Sequence, residues 1–253
     1  MWRDRLRLEV ASDGFDPQFG SVTFATIAIV VALLLSNIFL TAWVFFSHEK
    51  FNVNAISASD LLASSIGTWT GFLGSAYLVS RKRGTGSMIV DYSISVEPID
   101  LIIGVVMGVL LQYVVVPLAY LPFESFVPHL QQKLSGPANE ITGAGHGLGI
   151  ILVGLILVVF APFAEEVFFR GFFLQSISFQ LKNRSKTQNM FFTVLFSALG
   201  FGIAHAEPLQ LLGLVLVGIV LAILRIRFNR LGPSLVTHAT FNLVTFLAMV
   251  KHI

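Results

Sequence analysis

The chain has 253 residues, of which 55% are hydrophobic and only 12% charged, with a formal net charge of +2. Soluble domains carry about 25% charged residues, so half that charge beside long apolar runs excludes a soluble globular enzyme, a disordered chain and a collagen-like fibre. The absence of cysteine removes disulfides, thiolate zinc sites, cysteine nucleophiles and iron–sulfur clusters together, and so small a net charge gives no reason to expect a nucleic acid partner.

Residues 1–21 are polar, and the first apolar run, Val22 to Phe46, is too long for the core of a cleaved signal. It reads as a retained signal-anchor helix. Further runs follow at Leu61–Ser80, Leu101–Pro122, Leu148–Gln180, Met190–Ala204, Leu209–Leu224 and Pro233–Val250. Each is long enough, or nearly so, for the roughly 20 apolar residues of a membrane helix. A strand reading fails because the runs do not alternate and lipid-facing backbone must bond within itself. The expected fold is therefore all-α: a polytopic transmembrane bundle of about seven spans, with residues 22–147 as three N-terminal spans and 148–250 as a core of four.

Basic residues orient it. Arg3, Arg5 and Arg7, then Arg81, Lys82 and Arg83, then Lys182, Arg184 and Lys186, then Arg225, Arg227 and Arg230 fall on alternate loops. The opposite side holds only Lys50, Lys133 and Lys251. The positive-inside rule then puts the N-terminus in the cytoplasm and, with seven spans, the C-terminus outside. Met88–Asp100 is expected along the inner surface. Phe123–Gly147, with Pro128, Gly136, Gly143 and Gly145, is expected as the longest outer loop.

Glu165, Glu166, Arg170, His205 and His238, with the amide of Asn242, stand within or at the ends of apolar spans. A charge at membrane depth costs about 2.5–3.5 kcal/mol on insertion scales, which makes each a candidate functional group. In Glu165-Glu166-Val-Phe-Phe-Arg170, Glu166 and Arg170 stand at i and i+4 in the favourable order for an ion pair. Glu165 is turned about 100° away and is left to face a polar cavity, while Pro162 can kink the helix. The bland alternative is one structural ion network. Phe201-Gly-Ile-Ala-His205 precedes Glu207-Pro208, so its helix is expected to end near His205; alone, that histidine could be a polar tip. His238-Ala-Thr-Phe-Asn242 puts two polar groups one turn apart on one face, which alone could be an interhelical hydrogen-bond pair. Together, a carboxylate and two imidazoles on three helices supply what activation of a water requires, and an amide can donate to an oxyanion. There is no HExxH or GxSxG motif. With straight helices, His205 near the outer face and His238 near the inner face would not meet; convergence needs tilted helices, a short fifth span, or a Glu207-Pro208 turn that dips into the bundle.

These three motifs, in this order, resemble those of the CPBP family (also called Abi), the CAAX-protease and bacteriocin-processing intramembrane endopeptidases that include type II CAAX prenyl endopeptidases. The resemblance covers about Gly149 to Phe246. It implies hydrolysis of a peptide or lipidated protein substrate within the lipid bilayer, with Glu165 as general base and His205 positioning the water or a metal. His238 and Asn242 would stabilise the oxyanion, and Glu166 with Arg170 would support the site. It leaves open a Zn²⁺ ion, with Glu165, His205 and His238 as candidate ligands, or a metal-free glutamate mechanism. It also implies an integral protein of the bacterial cell membrane. The alternatives are a non-catalytic scaffold or bacteriocin self-immunity protein and, third, an ion transporter.

Overall fold

The structure, a computed structural model, describes residues 21–47, 56–143 and 147–250. The polar N-terminus with Arg3, Arg5 and Arg7 lies outside these residues, as do Lys50, Gly145 and Lys251. Among the described residues the chain forms helices and no strand. In order they are α1 (Val22–Ser47), α2 (Ala58–Arg83), the single-turn α3 (Met88–Asp91), α4 (Pro98–Phe123), α5 (Leu130–Gly143), α6 (Gly149–Gln180), α7 (Lys186–Ala204), α8 (Leu211–Phe228) and α9 (Gly232–Val250). Six of them, α1, α4, α6, α7, α8 and α9, are long and apolar enough to cross a membrane. The expected second span exists as α2, 26 residues long, but its serines, threonines, Asp60 and terminal basic cluster dilute the apolar run.

Packing follows membrane rather than aqueous rules. The residues α1 buries are Ala25, Ala28 and Ala32, while Ile27, Val30, Leu34 and Phe45 point outward. Small side chains let backbones approach, and bulky ones face lipid. The partner surface on α2 is matched: a Cβ on Gly71 would collide with Ala32, and one on Gly67 with the backbone of Leu35 and Ser36.

At the bundle centre, every residue from Val167 to Phe173 of α6 is buried. At one end, the Asp100 carboxylate accepts from Arg230 Nη2 at 2.7 Å and Nε at 3.0 Å, and Leu231 N–H donates to the Ser93 carbonyl at 3.0 Å. This clamp fixes the start of α4 against the turn that launches α9. The 123–147 stretch departs from the expected loop, because Leu130–Gly143 is helical. Its Pro and Gly content reads as loop, but the helix packs on α6 and α9, and its Leu134 carbonyl accepts from Gln210 Nε2 at 2.8 Å. Tertiary contacts override local propensity here.

Candidate active site

The helix carrying the glutamate pair is not a regular α-helix. Two wide π turns interrupt α6, at Ile156–Phe160 and Val167–Phe173, a distortion that recurs at functional sites. The first has an identifiable consequence. Ala161 N–H donates to Ile156 O, five residues back. In the same register the Leu157 carbonyl would take its proton from residue 162, which is proline and has none. Asn242 supplies the missing donor from another helix: its Nδ2 reaches Leu157 O at 2.9 Å. A carbonyl only accepts, so this bond also fixes which end of the Asn242 amide is nitrogen. It occupies one of two N–H groups and leaves the other for the cavity that Asn242 lines.

Glu166 and Arg170 meet as their spacing predicts, Oε1 to Nη1 at 2.8 Å, with both side chains essentially fully buried. Arg170 Nη2 also donates to Gly218 O at 3.4 Å, and its guanidinium lies 4.3 Å over the Phe201 ring. Phe201 in turn meets His205 and His238 edge-on, at 4.6 and 5.5 Å between centroids. The phenylalanine of the second motif is thus the packing partner of the arginine of the first.

Glu165 points elsewhere, into a cavity of about 490 Å³ bounded by α4, α5, α6, α7, α8 and α9. Its side chain is 19% exposed, yet Oε2 is buried and unpartnered among the described residues. His205 Nε2 and His238 Nε2 both stand 3.8 Å from that oxygen. The other ring nitrogens fix the tautomers. His205 Nδ1 is 2.8 Å from the Phe201 carbonyl, which can only accept. His238 Nδ1 is 3.1 Å from Glu166 Oε1, a carboxylate oxygen already paired with arginine. Both Nδ1 atoms therefore donate, and a ring neutral in this tautomer carries its lone pair at Nε2. One carboxylate oxygen and two imidazole lone pairs face a common space: three acceptors with no donor between them.

The histidines converge because the chain after His205 is pinned to the bundle. Ala206 adopts left-handed backbone, φ 55°, which turns the chain sharply at the end of α7. The Tyr120 hydroxyl then donates to Leu209 O at 2.7 Å and accepts from Gly213 N–H at 3.1 Å, so a phenol from α4 stitches the Glu207-Pro208 turn against the helices. Among the residues that sequence reasoning passed over are Tyr120, the Leu157 carbonyl, and the pair Gln112–Thr245, whose Oε1 and Oγ1 lie 3.1 Å apart on the cavity wall. An uncharged amide and phenol within the apolar run 101–122 were the available signal.

A carboxylate and two imidazoles are donor types that zinc accepts. Tetrahedral zinc, with bonds of about 2.0–2.2 Å, holds its donors roughly 3.3–3.6 Å apart, closer than the 3.8 Å separating each imidazole from Glu165. Among the described residues no group of three or more His, Cys, Asp or Glu side chains is gathered to hold a metal ion.

The apolar helices and buried polar centre define an integral membrane protein, an all-α bundle with a carboxylate and two imidazoles converging in a cavity. Residues 147–244, less than half of the chain, match the family model described as type II CAAX prenyl endopeptidase Rce1-like. The matched segment is similar to that family, consistent with the CPBP resemblance, and contains Glu165, Glu166, Arg170, His205, His238 and Asn242. No curated protein and no solved structure matches the chain.

Proposed function

We propose that this protein is an intramembrane endopeptidase that hydrolyses a peptide bond of a membrane-associated or lipidated peptide, with Glu165 as the base. The carrying observation is the set of three acceptors around one space, Glu165 Oε2, His205 Nε2 and His238 Nε2. Only a donor or a cation can satisfy them. A water hydrogen-bonds at roughly 2.8 Å, so one molecule can bridge Glu165 and His205 by donating both protons. The Rce1-like match of residues 147–244 supports the same reaction class.

In this reading, water attacks the substrate carbonyl as Glu165 takes its proton. The oxyanion is held by the second N–H of Asn242; His238 joins as a donor once its Nε2 has taken a proton from solvent, with Glu166 as counter-charge. Glu165 then passes the proton to the leaving amine nitrogen. Glu166 and Arg170 touch no substrate; they hold His238 and the centre of α6. A bacterial cell membrane, with the N-terminus in the cytoplasm, is the setting that the charge pattern and the family likeness support.

The test is cleavage of a membrane-peptide library by the purified protein in liposomes, with metal content measured on the same sample. Cleavage that persists in strong chelator, from protein holding no stoichiometric metal, is the expected result. One zinc per chain with chelator-sensitive activity would mean that Glu165, His205 and His238 draw together on a metal instead. A protein that cleaves nothing, yet whose cellular role survives Glu165→Ala, would be a scaffold or immunity protein.

A further inference from the structure

Four side-chain amides line the cavity, those of Gln112, Gln131, Gln210 and Asn242. Three have their nitrogens engaged: Gln131 on Glu124 Oε1 at 2.8 Å, Gln210 on Leu134 O at 2.8 Å, and Asn242 on Leu157 O at 2.9 Å. Gln112 is the exception. Its Oε1 lies 3.1 Å from the Thr245 hydroxyl, whose single proton also faces Phe241 O at 3.2 Å, and its Nε2 makes no hydrogen bond among the described residues. The side chain sits on the wide turn Leu111–Val115 of α4, within an otherwise apolar span.

Its distance from the chemistry can be read along α9. His238, Asn242 and Thr245 all line the cavity, and Thr245 follows His238 by seven residues, or about 10 Å at 1.5 Å per residue. An extended peptide advances about 3.3 Å per residue. Gln112, held by Thr245, therefore stands about three residues from the bond that His238 faces. A peptide drawn into an apolar cavity must satisfy its main-chain groups there or leave them unbonded.

We infer that Gln112 is a substrate-binding residue whose Nε2 donates to a main-chain oxygen of an extended peptide about three residues from the cut bond. This rests on the endopeptidase reading. The oxygen is either an internal carbonyl or the terminal carboxylate of a peptide ending there, and both share the acceptor chemistry.

The test uses a fluorogenic membrane peptide cleaved by wild type, with analogues in which single amides are replaced by esters, whose carbonyls accept more weakly, and with free and amidated C-termini. Gln112→Glu keeps the Thr245 bond and removes the donor; Gln112→Leu removes both, and Thr245 still donates to Phe241 O at 3.2 Å. Folding is checked by melting temperature in detergent. One net hydrogen bond corresponds to roughly a threefold to tenfold change, expected as a rise in KM with kcat nearly unchanged. The ester about three residues from the cut should weaken binding to wild type and have no further effect on either variant. Sensitivity to the terminal group instead of the ester would identify the acceptor as the carboxylate. Unchanged KM in a folded Gln112→Glu, or an ester effect that persists without the donor, overturns the assignment. Glu165→Gln on the same peptide separates the two failures: if it still cleaves, the endopeptidase mechanism falls; if it is inactive while Gln112→Glu behaves as wild type, only the Gln112 assignment falls.

Discussion

Replacing Asn242 by leucine tests why the helix bearing Glu165 is shaped as it is. The Leu157 carbonyl has lost its helical donor to the wide turn and to Pro162, and Asn242 Nδ2 at 2.9 Å is its substitute. Orphaning a buried acceptor costs about 1–3 kcal/mol. This bond is only partly buried, and polar pairs between membrane helices average about 0.6 and reach about 1.7 kcal/mol, so Asn242→Leu is expected to lose about 1 kcal/mol. Pro162→Ala restores an N–H at the position the wide-turn register assigns to Leu157 O. In that background Asn242→Leu should cost only a few tenths of a kcal/mol, a coupling of about 0.7 kcal/mol, above the roughly 0.3–0.5 kcal/mol scatter expected of independent sites. The assay is reversible unfolding in mixed micelles, followed by tryptophan fluorescence, since Trp69 packs 5.7 Å from Phe160 beside the turn. Activity should part from stability: the double variant recovers stability but not hydrolysis, because the second Asn242 N–H is gone. Strictly additive stability losses would refute the argument that proline and asparagine share one carbonyl.

Arg170→Ala leaves the fully buried Glu166 carboxylate without its cation; breaking a buried pair costs about 3–5 kcal/mol, so folded yield and unfolding midpoint should drop sharply, well beyond the effect of any cavity-facing substitution. On topology, a single cysteine replacing Lys82 is expected to resist a membrane-impermeant thiol reagent in intact cells while Ser135→Cys labels; labelling at 82 would invert the charge-based orientation.

Much of the centre was legible because it rests on short spacings along one helix. Glu166 and Arg170 pair at i, i+4, and Asn242 shares a face with His238, both direct consequences of helical geometry. The division between Glu165, facing the cavity, and Glu166, buried, follows from the angle between adjacent residues. What was not legible depends on partners distant in sequence. The helix Leu130–Gly143 is hidden by its glycines and proline and exists against α6 and α9. Tyr120 and Gln112 acquire meaning only when α4 meets the 209–213 turn and Thr245. Arg230 counts in sequence as a topology marker, yet it also grips Asp100 in a bidentate bond. The wide turns of α6 leave no periodic trace, although Pro162 hints at one.

Everything converges on Oε2 of Glu165, and the most direct measurement is the cleavage rate of a membrane peptide in liposomes by wild type, Glu165→Gln and Glu166→Gln, each normalised to folded protein. Glu165→Gln keeps the shape and removes the base, so it is expected to fold with a melting temperature near wild type and to lose hydrolysis by several orders of magnitude. Glu166→Gln is expected to show its defect first in folding. If Glu165→Gln instead cleaves at the wild-type rate, or if Glu166→Gln is the stable and inactive variant, water is not activated where the three acceptors meet.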